Sequence, residues 1–178
     1  EIVKGQDIAR YYCEDTYHVT ENGSSLTESC MRYDTCQEND YFNIYTRNKN
    51  CEMLICKHRN GGVMGRALLW TATDGDKTYK IMDRVYYCYE RILPEFLKWA
   101  LNNNFLRKER QSYDDYDLVD KEGKRVCVSD IYIKLEVSEF NYYPYCDTFH
   151  MLVVDDNELH IGIFEENGCD IRNLRCTG

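Results

Sequence analysis

The sequence predicts an α+β fold in which an antiparallel meander sheet is flanked by helices. Three observations support this prediction. Three strand-like segments are separated by dipeptides typical of tight turns, a segment with a helical apolar stripe follows them, and the second half returns to strand-like patterns. The chain of 178 residues has the length of one domain of ordinary size, so we expect a single domain over residues 1–178.

The predicted meander occupies the centre of the chain. Its strands are residues 51–58 (CEMLICKH), 63–70 (VMGRALLW) and 78–87 (TYKIMDRVYY). Asn60-Gly61 and Asp74-Gly75 separate the strands, and such dipeptides favour hairpins because both positions tolerate positive φ. We therefore expect three neighbouring antiparallel strands with short connections.

The second turn also predicts a register. If Asp74 and Gly75 are its two central residues, the opposing pairs are Trp70 with Tyr79, Leu68 with Ile81, and Arg66 with Asp83. Such cross-strand pairs of matching chemistry contribute about 0.2–1 kcal/mol each. Apolar residues point to both faces of this hairpin, which predicts that the sheet is covered on both sides.

Helices are predicted on both sides of the meander. Residues 90–103 (ERILPEFLKWALNN) carry the clearest apolar stripe. Because proline is tolerated only in the first turn, the regular helix is expected to begin near Leu93. Shorter helices are predicted at residues 5–17 and 35–45, with a polar loop over residues 19–28 between them.

The second half of the chain predicts more β structure. We expect a turn at residues 120–124, a long strand at 126–137, a corner at Asn141–Tyr145, a hairpin of residues 148–154 and 159–164 around Asp155-Asp156-Asn157, and an irregular tail from Glu166.

Composition argues against several classes of function. The net charge of −9 disfavours binding to nucleic acid, because that affinity comes largely from Lys and Arg. The sequence contains no apolar run of membrane-spanning length, and residues 1–10 lack the apolar core of a signal peptide. Neither a P-loop nor a dinucleotide-binding motif is present, so no cofactor is predicted.

The ten cysteines leave their chemistry open. No pair has the C-x-x-C spacing typical of zinc modules, and no metal site is predicted. Several cysteines lie in apolar strand patterns, which favours a reduced, intracellular protein. The even cysteine count and the glycosylation sequon Asn22-Gly23-Ser24 support the alternative, a secreted disulfide-bonded protein.

Two groups of residues are the candidate sites in the first half of the chain. Cys30 stands two residues before Arg32, and a cation near a thiol favours the nucleophilic thiolate. The alternative is that Cys30 packs in a loop while Arg32 pairs elsewhere. Arg66, Asp83 and Arg84 are charges in a sheet covered on both sides, which indicates either a charged cluster at a cleft or an ion pair that fixes the register.

Aromatic residues complete the predicted binding set. Trp70 belongs to this set, and the sequence leaves open whether a pocket opens beyond it between the second and third predicted strands. Tyr143, Tyr145 and Asp147 either line a pocket or form a rigid Tyr-Pro-Tyr corner packed on the core. Tyrosine supplies contact area at low entropy cost, which suits either arrangement.

Four sequence blocks carry a resemblance to a group of viral proteins. These are Ser29–Tyr33 (SCMRY), Gly65–Trp70 (GRALLW), Met82–Tyr86 (MDRVY) and Tyr143–Phe149 (YPYCDTF). They resemble blocks in uncharacterised proteins of large tailed bacteriophages, over about residues 5–150. The resemblance implies the cytoplasm of an infected bacterium as the setting.

A second resemblance concerns topology. The predicted order of three strands, a helix and another strand is similar to the core of GNAT-type acetyltransferases. In that family a glycine-containing turn after the third strand binds the pyrophosphate of acetyl-CoA. The matching stretch Tyr86–Arg91 contains no glycine and places Glu90 where the anion docks, so we expect a scaffold without the cofactor.

These observations predict a non-enzymatic phage accessory protein. It is expected to bind a host protein or a small signalling ligand, for example to blunt a defence system. The acidity, the tyrosines and the missing catalytic motifs support this hypothesis. The alternatives are a GNAT-like acyltransferase that uses acetyl-CoA and a secreted disulfide-bonded binding protein.

Overall fold

The computed structural model describes residues 1–20, 23–33, 40–137, 140–164 and 167–173. The strands within these ranges are β1 (Ile2–Lys4), β2 (Cys51–Lys57), β3 (Val63–Thr73), β4 (Thr78–Tyr87), β5 (Leu106–Lys108), β6 (Leu118–Val119), β7 (Arg125–Val126), β8 (Tyr132–Lys134), β9 (Phe149–Val153), β10 (Glu158–Ile161) and β11 (Cys169–Asp170). The helices are α1 (Asp7–Arg10), α2 (Asn43–Thr46) and α3 (Leu93–Asn102), with short 3-10 turns at Glu14–Thr16, Asp40–Phe42, Glu90–Ile92 and Ile171–Asn173. The predicted mixture of helix and strand is confirmed, and the sheet dominates.

All the described strands belong to one sheet. Its main path runs β11-β9-β10-β8-β3-β4-β5-β6-β7, and β1 and β2 extend from β3. β2, β3 and β4 pair antiparallel in chain order, whereas β4 and β5 pair in parallel through α3. β3 extends beyond the end of β2, and its last residue Thr73 pairs with Tyr132 of β8. β3 is therefore the strand on which both halves of the chain meet.

The register between β3 and β4 differs from the predicted one. Trp70 pairs with Ile81 rather than Tyr79, and Arg66 pairs with Tyr86 rather than Asp83. The reason lies in the turn, where Asp74 Oδ1 accepts hydrogen bonds from two following backbone N–H groups, at 3.0 and 2.8 Å. This side chain stabilises a four-residue loop over residues 74–77 instead of a two-residue turn.

The sheet is covered on both faces, as predicted. On one face, α3 packs Phe96 and Ala100 against Leu69 and Met82. On the other, the N-terminal segment, α2 and the β9–β10 hairpin form a larger core around Trp70. α3 begins at Leu93, as expected from the position of Pro94.

Other predicted elements are confirmed or corrected. The hairpin around residues 155–157 is present as β9 and β10. The long strand predicted at 126–137 is wrong, because its ends form β7 and β8 with irregular structure between them. The N-terminal helix is shorter than predicted, and residues 35–39 of the second predicted helix lie outside the described ranges. The tail includes β11, which corrects the expectation of irregular structure.

Cysteine 13 differs from the expectation of a fully reduced chain. It is disulfide-bonded, whereas the thiols of Cys51, Cys56, Cys88, Cys127 and Cys169 are not.

No helix in the described part of the chain is long and apolar enough to cross a lipid bilayer.

Candidate functional site

The candidate site is centred on a β-bulge in β4. The pairing of β3 with β4 shifts by one residue there, so that Asp83 and Arg84 together lie opposite Leu68. Bulges break the alternation of side chains along a strand and re-aim them. As a result, both bulged residues line one inner cavity, which has space for about one water molecule.

Arg84 and Asp147 form the opening of this cavity. Arg84 Nη1 lies 3.6 Å from Asp147 Oδ1, and the guanidinium lies 4.9 Å from the centre of the Tyr86 ring. The Tyr86 hydroxyl donates a 2.7 Å hydrogen bond to the other carboxylate oxygen, Oδ2. The Arg84 side chain is 25% exposed and that of Asp147 only 8%. The pair is therefore largely removed from solvent, yet its two charged groups are too far apart for a strong hydrogen bond.

The hydrogen-bonding capacity of this pair is only partly used. Asp147 Oδ1 is buried and has no hydrogen-bond partner in the part of the chain that the structure describes. Among the residues that the structure describes, none accepts a hydrogen bond from the Arg84 guanidinium, whose only polar contact is the 3.6 Å ion pair. Buried polar groups are normally satisfied, so these two groups mark a place where a ligand gains hydrogen bonds.

Asp83 differs from Asp147 in being fully satisfied. Its Oδ1 accepts hydrogen bonds from Thr148 Oγ1 at 2.6 Å and from the backbone N–H of Arg84 at 2.8 Å. Its Oδ2 accepts one from Trp70 Nε1 at 3.3 Å. Lys108, which is completely buried, donates to Thr148 Oγ1 at 3.0 Å. This network fixes the bulge and thereby the position of Arg84.

Arg66 closes the inner end of the cavity. Its side chain is 1% exposed and its guanidinium lies 4.1 Å from the centre of the Tyr12 ring. It donates hydrogen bonds to Tyr17 Oη, to the Tyr11 carbonyl at 3.2 Å and to Ser29 Oγ at 3.1 Å. These contacts tie the N-terminal segment and the loop at Ser29 to β3, so Arg66 is a structural residue beneath the site.

An outer cleft continues from this cavity to the surface. It has a volume of about 280 Å³ and is lined by Ser25, Glu28, Ser29, Cys30, Arg84, Tyr86, Tyr113, Tyr145 and Asp147. This volume is at the small end of the range for ligand pockets. The lining combines three tyrosine rings with one cation and two carboxylates, which suits a polar ligand with a flat face.

Two loops form the walls of the cleft by binding to the free edge of β4. The parallel pairing with β5 ends at Met82, so β4 has no neighbouring strand on that side beyond the bulge. Ser25 Oγ accepts a hydrogen bond from the Tyr87 N–H at 2.9 Å, and Gln111 Oε1 accepts one from the Val85 N–H at 2.8 Å. These two bonds hold the segments that carry Cys30 and Tyr113 beside Arg84.

The protonation states follow from burial. Burial and the neighbouring Asp83 carboxylate raise the pKa of Asp147 above its usual value, although the Tyr86 hydrogen bond and Arg84 act in the opposite direction. Burial and Asp147 raise the pKa of Tyr86, so its phenol stays protonated and donates to the carboxylate. The ionised form of Asp147 is thus less favourable than usual until a donor reaches Oδ1.

The structure brings together part of the predicted binding set. Arg84, Tyr145 and Asp147 line the outer cleft, and Arg66 and Asp83 line the inner cavity. Cys30, the weak catalytic candidate, lies on the cleft wall. The described lining of the cleft contains no histidine that could activate its thiol.

Three predicted residues lie away from the cleft. Trp70 is 1% exposed and packs edge-on against Tyr45 in the core. Arg32 forms an ion pair with Glu14 at 3.0 Å. Tyr143 packs against Phe140, with the ring centres 6.0 Å apart, which supports the alternative of a packed corner.

Sequence reasoning missed several residues of the site. Tyr86, Ser25 and Tyr113 line the cleft but are not in the predicted binding set, and Ser25 and Tyr113 lie in segments without a motif. Lys108 and Thr148 are far apart in the sequence, and only the fold brings them within hydrogen-bond distance. Of these residues, only Tyr86 can be linked to the site from the sequence, because it lies two residues after Arg84 in the same strand.

A second buried polar cluster lies behind the β9–β10 hairpin. His150 Nε2 is 3.1 Å from the Tyr116 hydroxyl, and Nδ1 is 3.3 Å from Asp170 Oδ1 without forming a hydrogen bond. Arg172 pairs with both Asp170 oxygens. Burial and Arg172 lower the pKa of His150 to about 4, so its imidazole is neutral. These mutual contacts indicate a structural role.

The remaining surface offers two open grooves. One lies between β2 and α3, has a volume of about 440 Å³ and contains Phe96 and Trp99. The other, of about 450 Å³, is beside the stacked rings of His18 and His58. In the described ranges, no three His, Cys, Asp or Glu side chains are grouped so as to hold a metal ion.

Comparisons with known proteins add no relative to this description. No protein-family model, curated protein or solved structure matches the chain. The functional argument therefore depends on the cleft itself.

Proposed function

We propose that this chain is a binding protein that holds a small polar ligand in the cleft at Arg84 and Asp147, and that it acts without catalysing a reaction. One observation carries the proposal. A largely buried guanidinium and a buried carboxylate oxygen face one cleft, and neither makes a hydrogen bond to the described residues. A ligand that satisfies both gains charge-assisted hydrogen bonds in a place where water is mostly excluded.

The arrangement favours binding over catalysis. The nucleophile candidate Cys30 has no histidine in the cleft to act as its base, and the residues lining the cleft include no histidine at all in the described part of the chain. Asp83 accepts hydrogen bonds from three donors and is turned toward Trp70 and Thr148. The tyrosines supply contact area without a proton-transfer function.

The biological setting follows from the sequence blocks that resemble phage proteins. Ser29 and Cys30, Arg66, Asp83 and Arg84, and Tyr145 and Asp147 belong to these blocks and also line the two cavities. We therefore infer that the ligand is a small molecule of the infected bacterium, bound in its cytoplasm to the advantage of the phage. A host protein is the alternative partner, and it would have to insert a polar side chain into the same cleft.

The test is a ligand screen on the whole chain. Saturation-transfer NMR is recorded with free amino acids, nucleosides, nucleotides and monosaccharides at millimolar concentration. We expect signals from at least one class with the wild type, and their loss in Arg84→Met. Arg59→Met is the matched control, because Arg59 is exposed in the turn after β2. An absence of binding by all classes would contradict the proposal, as would equal binding by both variants.

The acyltransferase alternative has one observation in its favour. β4, α3 and β5 follow one another as a strand, a helix and a parallel strand, and this order is similar to that of the GNAT core. The turn after β4 nevertheless does not offer amides to a pyrophosphate. The Cys88 N–H donates to the Met64 carbonyl at 2.9 Å, and the Glu90 carboxylate lies at the same turn within 3.3 Å of the Tyr87 hydroxyl. Titration with millimolar acetyl-CoA is expected to give no heat of binding.

The secreted alternative is favoured by the disulfide at Cys13. Disulfides persist mainly in oxidising compartments. Thiol counting in denaturant, on protein purified without reductant from a bacterial cytoplasm, distinguishes the two settings. If the chain works in the cytoplasm, most of the ten cysteines react as thiols and ligand binding is unchanged by reductant. Loss of binding on reduction would favour the secreted protein.

A further inference from the structure

The charges at the cleft restrict the chemistry of its ligand. Arg84 and Asp147 carry opposite charges 3.6 Å apart in a partly buried place. A ligand with a single cationic or anionic group would satisfy one of them and leave the other without its partner, which is costly at low dielectric. The complementary ligand therefore presents hydrogen-bond acceptors and donors side by side and is neutral at the contacting edge.

The geometry of the two groups sets the order of these atoms. A guanidinium is a planar fork that donates two parallel hydrogen bonds, so it requires two neighbouring acceptors. Asp147 uses Oδ2 for the Tyr86 hydroxyl and offers Oδ1 to a donor. A planar group with two acceptors followed by an N–H donor matches this pattern. Guanine has such an edge, and arginine is its commonest partner in proteins.

Three tyrosines lie beside the position that such a base would take. Tyr86, Tyr113 and Tyr145 line the cleft around Arg84. Aromatic stacking contributes to base binding by proteins regardless of the base, whereas the polar edge selects among bases. A zwitterionic amino acid also carries opposite charges, but its charged groups share one tetrahedral carbon and offer no flat surface to three rings.

We propose that the cleft recognises a guanine base, as a nucleoside or nucleotide, with Arg84 on its acceptor edge and Asp147 accepting from its N–H groups. This inference depends on the proposed function and specifies its ligand. The acidity of the chain and the two carboxylates of the cleft, Glu28 and Asp147, favour recognition of the base over recognition of phosphate.

The test is isothermal titration of the wild type with guanosine, inosine, adenosine and cytidine. We expect guanosine to bind best. Inosine lacks the exocyclic amino group and is expected to bind up to about tenfold more weakly, whereas adenosine and cytidine should lose about tenfold or more. Guanosine monophosphate is expected to bind within about threefold of guanosine, because the base carries the recognition.

Variants assign the effect to the proposed contacts. Arg84→Met and Asp147→Asn are each expected to weaken guanosine binding by about tenfold or more, and Arg59→Met to leave it unchanged. Equal affinity for all four nucleosides would overturn the guanine assignment. Binding of only amino acids or sugars in the cleft would also overturn the guanine assignment, but the proposed function as a small-ligand binding protein would stand. If no compound of either panel binds, both proposals fail.

Discussion

At the scale of single residues, the molecule places several charged side chains inside its core. Arg66 and Lys108 are at most 1% exposed, and no described carboxylate pairs with either. Their charges are instead met by carbonyl and hydroxyl oxygens and, for Arg66, by tyrosine rings. Arg66 Nε is an exception, since it is buried and has no hydrogen-bond partner among the described residues. A buried cation depends on its remaining partners, so each of these contacts is sensitive to mutation.

Arg66→Met tests the structural role of Arg66. The substitution leaves the Tyr11 carbonyl and Ser29 Oγ without their buried donor, and we expect a loss of about 2–4 kcal/mol in the free energy of unfolding. Urea titration followed by circular dichroism measures it. Arg59→Met, at an exposed position, should change stability by less than about 0.5 kcal/mol. Equal stability of the two variants would show that Arg66 is not required by the fold.

Asp147→Asn tests whether Asp147 serves ligand binding and not the stability of the fold. The pKa of Asp147 is higher in the folded state than in the unfolded chain, where it is about 3.9. The folded state therefore favours the protonated carboxyl, and this contribution to stability is complete only at a pH below about 3.9. That contribution is lost as the pH rises through the folded-state pKa, so the ionised group disfavours folding at pH 7. We expect the Asn variant to be at least as stable as the wild type at pH 7 in urea titrations.

Asp83→Asn is the matched control for this prediction. Its carboxylate accepts three hydrogen bonds in the structure, and the variant is expected to lose about 1–3 kcal/mol. A clear loss of stability in Asp147→Asn at pH 7, similar to that of Asp83→Asn, would mean that Asp147 is structural.

His150 predicts a loss of stability in mild acid. Its folded-state pKa of about 4 lies below the unfolded value of about 6.5. The stabilisation from neutral His150 is therefore complete above about pH 6.5 and is lost as the pH falls toward 4, by up to about 3 kcal/mol. His150→Gln should remove this pH dependence in urea titrations, whereas His58→Gln at the exposed turn should keep it. Parallel curves for wild type and His150→Gln would contradict the assignment.

Some residues of the site could be predicted from the sequence, and the reason is physical. Arg66, Asp83 and Arg84 are charges within an apolar strand pattern, and a charge there must have a partner or a function. Asp147 stood out because it follows a Tyr-Pro-Tyr corner. Lys108 looks like an ordinary surface lysine in the sequence, because nothing local shows that Thr148 and the Asp115 carbonyl surround it.

At the scale of elements, the strand segments and α3 could be predicted, and the register could not. Periodicity and turn dipeptides locate β2, β3 and β4 because those signals are local. The register depends on Asp74, whose side chain enlarges the turn, and on the bulge at Asp83, which is held by Trp70 and Thr148. The latter contacts join distant parts of the chain and leave no pattern in the strand itself.

Gly65→Ala tests how closely α3 packs on the sheet. A Cβ at this position would lie 2.9 Å from Ile92 Cγ2, 3.0 Å from Phe96 Cε2 and 3.2 Å from the Tyr86 carbonyl. We expect the variant to lose about 1–3 kcal/mol of stability through overpacking. Thermal unfolding measures the change, with the exposed Thr71→Ala on the same strand as control. An unaltered melting temperature would show that α3 has room to move away from β3.

At the scale of the whole molecule, the site is assembled from four parts of the chain. The loop at residues 25–30, the bulge of β4, the segment that carries Tyr113 and the corner before β9 meet at one opening. Their association depends on β3, which pairs with strands from both halves. The prediction that the sheet is covered on both faces came from the apolar residues on both sides of the strands. The strand order across the two halves could not be derived, because β6, β7 and β8 have two or three residues each.

Chemical-shift mapping by amide NMR tests the central claim most directly. Isotope-labelled protein is titrated with the panel compound that gives the strongest transfer signal. The account predicts perturbations concentrated at residues 25–30, 84–86 and 145–147. Perturbations concentrated at Phe96 and Trp99 in the groove between β2 and α3, or none with any compound, would contradict it.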